Sequence, residues 1–410
     1  MEEEGSKISV LHQINQRMIN YNQSQKSIII KKLIHVDTNK RERNPGIELL
    51  RLLGMFAIIV SHVLYSGLAF KKYNYKELHL INISTFWHVG SYALISGIVG
   101  HKTCKYSNLM YLWIYTVFYS VIIYLCYKKY NKYIWTEKYW KDRTLLENFT
   151  PVVYRKYWYF TAYFGMYLFV PLINKALSIV NKKELLIIVI SHFGIFIIWK
   201  DLINFKSDPF KFNYGYSILG LLIFYIAGAY FDKYIIKANK NRNLLYYIFC
   251  LFIYISSTLL CYYSCMFFDI EKTKIKILVH LIQFFSQRIN SFAMILQTIS
   301  LTLIVTQIKY NIYIRKIVSY FGHLTFGVYL IHFNEYIKSF ELKKIFDNYN
   351  ESTPLKTLIY LVYIRAIQIY IICLIIEYMR YLLFKILKIR EMCILTEKFI
   401  AKFINNIFDI

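Results

Sequence analysis

The 410-residue chain has little of what soluble proteins use to punctuate themselves: 14 glycines, 5 prolines and only 24 acidic residues. So few turn-formers exclude a collagen-like or low-complexity chain, and the 57% of hydrophobic residues excludes a disordered one. The seven cysteines include no Cys-x-x-Cys pair and are odd in number, which indicates neither a disulfide framework nor a zinc site. Cys261 and Cys265, four apart on one helical face, read as small buried hydrophobes, and no metal is expected. What is plentiful is apolar surface, with a mean hydropathy of +0.36. Several nearly uncharged runs of roughly 20 residues match the length a helix needs to cross about 30 Å of hydrocarbon.

Charge sharpens that class. The 50 Lys and Arg residues give a net charge of +26, but they are spread between the apolar runs and form no basic domain. Cationic loops beside anionic headgroups explain this, making membrane lipid a partner and nucleic acid not one. The expected fold is an all-α polytopic membrane bundle of about ten transmembrane helices with no large soluble domain. The spans fall near 47–68, 80–100, 107–127, 157–174, 184–203, 214–231, 244–268, 289–309, 316–337 and 357–387, with a further partial span near 274–287. A basic tail precedes them over residues 1–44, the membrane domain covers 45–387, and 388–410 form a short C-terminal tail. An even span count puts both termini on one side, and Lys40, Arg41 and Arg43 assign that side to the cytoplasm of a multi-pass plasma-membrane protein. The loop of 128–156 carries Trp135, Tyr139 and Trp140, which fit an interfacial aromatic belt, and Asn148-Phe-Thr150 forms a glycosylation sequon followed by Pro151.

The first span holds the residues that a hydrocarbon environment must explain. Glu48, Arg51 and His62 interrupt an otherwise apolar helix, where an isolated charge costs several kcal/mol. Eleven steps of about 100° bring His62 to within roughly 20° of the direction of Arg51, at a separation of roughly 16 Å along the axis. Glu48, three residues before Arg51, can pair with it. An interfacial ion pair plus a structural histidine would explain each alone. The aligned trio points to chemistry, because imidazole titrates near neutrality and can take a proton from an alcohol.

This span, with ten residues between Arg51 and His62 and IELLR before them, resembles the opening of the membrane-bound acyltransferase family 3. The likeness continues in the same order through SYALISGI (91–98), the basic stretch with Lys102 and Lys105, KYWYFTAYFGMYLFVPLIN (156–174), IFYIAGAY (223–230) and FGHLTFGVYLIH (321–332). The resemblance implies transfer of an acyl group, most often acetyl, from cytoplasmic acyl-CoA to a hydroxyl of a cell-surface polysaccharide or its lipid-linked precursor. No cofactor is then bound, and acetyl-CoA is the donor substrate. His62 would be the catalytic base and Arg51 the arginine of the family motif, with Glu48 holding it. Arg51, Lys102 and Lys105 would meet the CoA phosphates; the lysines replace arginines of some relatives and supply point charges where a bidentate clamp stood. Trp158 and His332 are candidate substrate contacts. His88 is an open case between structure and function, and His192, His280 and His323 read as packing or interfacial residues. Two other functions compete: a flippase for a lipid-linked sugar, and a catalytically silent assembly subunit. The sequence shows no internal repeat of the kind transporters often carry.

Overall fold

The computed structural model describes residues 44–408 except 68, 74, 135–143, 200–201, 204–207, 238–241, 268–275, 339–341 and 343. The basic residues 40, 41 and 43 and the aromatic trio 135, 139 and 140 lie outside the described residues. Within them the chain is helical and without strands. The principal helices are α1 (Pro45–Ser66), α2 (Lys76–Thr85), α3 (His88–Gly100), α4 (Tyr106–Ile134), α5 (Trp158–Ile179), α6 (Lys182–Phe193), α7 (Ile218–Tyr230), α8 (Leu244–Met266), α9 (Phe292–Gln307), α10 (Ile312–Phe321), α11 (Thr325–His332), α12 (Leu355–Ile386) and α13 (Ile389–Phe408).

Local chemistry fixes where these helices begin. Pro45 supplies a ready helical φ at the first position of α1, and the Asn44 side chain accepts a hydrogen bond from the Gly46 N–H at 2.8 Å. Ser217, Asn243, Ser291 and Asn311 cap α7, α8, α9 and α10 in the same way. At α6 the cap is reciprocal, with Asn181 and Glu184 each satisfying the other's backbone.

Among the described residues, six helices are long and apolar enough to cross a membrane: those over Pro45–Lys72, Tyr106–Tyr130, Trp158–Ile179, Ile218–Ile236, Leu244–Met266 and Leu355–Ile386. Of the other expected stretches, 289–309 holds one shorter unbroken helix, α9, and the rest are helical but interrupted. The run over 80–100 divides at Phe86 and Trp87 into α2 and α3, and that over 316–337 divides at a tight turn, Gly322–Leu324, into α10 and α11. At the breaks neighbouring hydroxyls add bonds to the local backbone: Thr298 Oγ1 donates at 3.2 Å to Trp87 O, which also accepts from the Ser91 N–H, and Thr325 Oγ1 donates to Gly322 O at 3.0 Å. Beyond α6 the helix widens into a π-turn at Gly194–Trp199, and the partial span near 274–287 is a short helix, Lys276–Phe285. The stretch expected as a C-terminal tail contains α13.

α1 and α7 are the central helices, each with 67% of its most apolar stretch buried, whereas α8 and α12 bury only 22%. The outer faces of the latter two display Phe252, Leu244, Ile376 and Met379. Such a surface belongs in lipid, and the ionisable residues of α1 are correspondingly turned inward. Asn148 of the sequon is also enclosed: its Oδ1 accepts from the buried Lys156 ammonium and from Ser120 Oγ at 3.2 Å, so it is not presented for glycosylation.

α3 and α7 touch backbone to backbone. A methyl group on Gly97 would lie 1.9 Å from Tyr225 O, and one on Gly228 2.1 Å from Leu94 O. Gly97, next to Ser96, thus permits this close packing of the two helices. Asn174 ties the same end together, donating to Gly100 O at 2.9 Å and accepting from Tyr225 Oη at 2.7 Å. Gly97→Ala is expected to cost about 1–3 kcal/mol through overpacking, read as a lowered melting temperature of the detergent-purified protein; an unchanged melting curve would contradict the contact.

Candidate active site

The α2–α3 segment runs antiparallel to α1, with Tyr92 Oη of α3 donating to Arg51 O at 2.6 Å and Ser61 Oγ donating to Asn82 Oδ1 of α2 at 2.7 Å. α11 runs beside α1 in the same direction, since Gly322 abuts Glu48 near the start of α1 and His332 meets His62 near its end. Arg51 and His62 therefore occupy two depths of one interior face. Arg51 Nη1 donates to Glu48 Oε1 at 2.7 Å, while 24% of the arginine side chain stays accessible and the Glu48 side chain is almost wholly enclosed. Glu48 thus holds one edge of the guanidinium, as its i,i+3 spacing predicts.

The deeper centre is a pair of imidazoles. His62 Nδ1 and His332 Nε2 are 3.1 Å apart, and His332 Nδ1 lies 2.6 Å from Val328 O. A carbonyl oxygen only accepts, so His332 Nδ1 carries a proton and donates it to that bond. With both rings neutral, His332 Nε2 is then an acceptor and His62 Nδ1 the donor. The remaining nitrogen of His62, Nε2, is left with its lone pair. This is the tautomer a general base needs, fixed by a second group that is itself fixed by backbone. Phe333 covers His62 with ring centroids 5.0 Å apart. His332, expected as a substrate contact, is fully buried and faces His62.

Between the two depths stands a wall of tyrosines. Tyr159 stacks on Tyr163 at 6.5 Å and meets Tyr92 at 6.4 Å and Tyr329 at 6.5 Å, while Tyr329 reaches the His332 ring at 6.4 Å. Tyr92, Tyr159, Tyr163 and His62 all keep part of their surface accessible, although they sit on inward faces. Trp158, at the far end of α5, packs edge-on against Tyr216 with centroids 4.6 Å apart.

Lys102 and Lys105 follow α3 at the end of the bundle where α1 begins, and both are exposed. Lys102 Nζ lies 3.7 Å from Asp232 Oδ2, a carboxylate that also takes an ion pair from Lys237 and lies 3.2 Å from His101 Nε2. Lys105 is anchored through its backbone, which exchanges hydrogen bonds with Tyr167 Oη at 3.3 and 3.0 Å. His192 engages its own helix at Ile188 O, in keeping with a packing role.

One buried charge pair escaped the sequence reading. Glu377 and Arg380 on α12 form an i,i+3 ion pair, with Tyr119 Oη donating to Glu377 Oε2 at 2.8 Å and Arg380 Nη1 donating to Tyr111 Oη at 3.0 Å. The guanidinium lies 3.7 Å from the centre of the Tyr115 ring. A methyl group on Gly327 would lie 2.0 Å from Glu377 Oε2, so this cluster is packed directly against α11, the helix that delivers His332. The signal was available: charges inside an apolar run, the criterion that picked out Arg51. Arg380→Met is expected to destabilise by about 3–5 kcal/mol, because it strands a buried carboxylate, and Glu377→Gln/Arg380→Met by distinctly less. Thermal melts of the two variants test this, and equal losses would refute the pairing.

No curated protein and no solved structure matches the chain. The sequence model of the acyltransferase domain of family 3 matches residues 44–376, which takes in Arg51, His62, Lys102, Lys105, Trp158 and His332. The match covers most of the chain, and the protein belongs to the membrane acyltransferases of family 3.

Proposed function

We propose that this acyltransferase moves an acetyl group from cytoplasmic acetyl-CoA to a hydroxyl of a cell-surface polysaccharide or its lipid-linked precursor, with His62 as general base. The observation that carries the reading is the His62–His332 pair, which leaves one imidazole nitrogen unprotonated at mid-bundle. The acceptor O–H gives its proton to His62 Nε2 as its oxygen attacks the thioester carbonyl carbon. Collapse of the tetrahedral species breaks the C–S bond, and the departing thiolate leaves as CoA-SH with a proton returned by the imidazolium. The products are an acetyl ester and CoA, and His62 is neutral again.

Placement of the charges supports the donor's orientation. Arg51, Lys102 and Lys105 lie at the end where α1 begins, the end assigned to the cytoplasm, and offer cations to the CoA phosphates. The roughly 16 Å from Arg51 to His62 suits the slender pantetheine arm, with the tyrosine wall beside it. Asp232 tempers Lys102, so Arg51 and Lys105 carry more of the phosphate recognition.

Alkali-labile acetyl esters on cell-surface glycan should vanish both without the protein and with His62→Ala at matched membrane abundance. Esters that persist with alanine at position 62 would overturn the base, and loss of the glycan itself would favour a flippase or an assembly role. His332→Phe should lower transfer at least about tenfold by freeing the His62 tautomer. His332→Gln, whose side-chain carbonyl can accept the His62 Nδ1 proton, should retain more activity; equal rates for the two variants would count against the imidazole relay.

A further inference from the structure

The proposed mechanism leaves a third interior histidine unused. His88 opens α3, is 5% exposed, and has no hydrogen-bond partner on either ring nitrogen. Imidazole in this state loses its water and gains nothing, a cost that a leucine would avoid. Its position in the fold is specific. His88, Tyr92 and Ser96 recur at four-residue spacing along one face of α3. Tyr92 bonds the backbone of Arg51 and Asn82 takes a hydrogen bond from Ser61, so His88, between them in the chain, lies alongside α1 between the depths of Arg51 and His62. The α3 stripe thus runs alongside the Arg51-to-His62 face of α1, with His88 as the counterpart of the base.

Two other buried polar groups accompany it. Ser91, one turn along α3 from His88, has an unpartnered hydroxyl. Asn82 has an unpartnered Nδ2 amide, and its Oδ1 is held by Ser61, the residue preceding His62. A neutral imidazole, a hydroxyl and an amide together offer donors and an acceptor without charge. That complement suits polyhydroxyl groups, and it does not suit the phosphates recognised at the other end.

We infer that His88, assisted by Ser91 and Asn82, binds the hydroxyls of the sugar acceptor and positions one of them at His62 Nε2. This rests on the acyl-transfer reading above. It makes His88 a specificity-determining contact for the acceptor and leaves donor binding to the opposite end of the bundle.

The test uses the full-length protein in lipid nanodiscs, acetyl-CoA as donor, and alkali-de-esterified envelope glycan from the expressing cells as acceptor. Ester formation and CoA release are followed together. His88→Leu should raise the acceptor KM at least tenfold with less than a twofold change in the KM for acetyl-CoA, and His88→Gln, which keeps a donor and an acceptor, should recover part of the difference. An unchanged acceptor KM in both variants, or a donor KM that rises in parallel, overturns the assignment. Should His88→Leu fail to fold, His88→Gln against wild type gives the same reading through the two KM values. Wild-type protein that releases no CoA and forms no ester would instead refute the acyl-transfer reading itself, so the two failures are distinguishable.

Discussion

Everything in the interior is arranged around one hydrogen bond between two imidazoles. For His62 on α1 and His332 on α11 to lie 3.1 Å apart, the two helices must run side by side with their ends in register, and the surrounding helices meet that requirement. Gly322 lets α11 start against Glu48, and Gly327 lets the middle of α11 press on the Glu377–Arg380 pair. Val328, one turn before His332, then supplies the carbonyl that orients the second ring. Bulky side chains at the two glycines would move α11 outward by ångströms, more than a hydrogen bond tolerates.

The bundle separates its polar work by depth. At the end where α1 begins, charges meet charges: Arg51 with Glu48, and Asp232 with Lys102 and Lys237. Beside His62 the polar groups are histidines, tyrosines, serine and asparagine, which hydrocarbon surroundings penalise less than isolated charges, and the one buried charge pair behind α11, Glu377–Arg380, is matched within itself. Such a gradient suits the two substrates of the proposed reaction, one a polyanion and one a polyalcohol.

Much of this was legible in the sequence because the membrane makes apolar runs and their exceptions conspicuous. Glu48, Arg51 and His62 could be assigned to one face from helical spacing alone, and Glu48 pairs with Arg51 as that spacing requires. Less could be read where the outcome depends on distant segments. No periodicity announces that His332 would face His62, 270 positions earlier. Nor does local sequence reveal that Lys102 would share a carboxylate with Lys237, or that apolar runs over 80–100 and 316–337 would break, since the contacts at the first break include Thr298 on another helix. Glu377 and Arg380 were readable by the same rule as Arg51, but lay within a long final run taken as a single tilted span.

The glycine contact between α3 and α7 has an evolutionary consequence. The atoms facing Gly97 and Gly228 are main-chain carbonyls, present whatever residue occupies the opposite position. A larger residue at either glycine therefore cannot be rescued by shrinking its direct neighbour, as happens in cores where side chain meets side chain. Suppressors would have to shift a whole helix, and with it the stripe of His88, Tyr92 and Ser96, so drift at these two sites is coupled to the geometry of the proposed acceptor contact and not to stability alone.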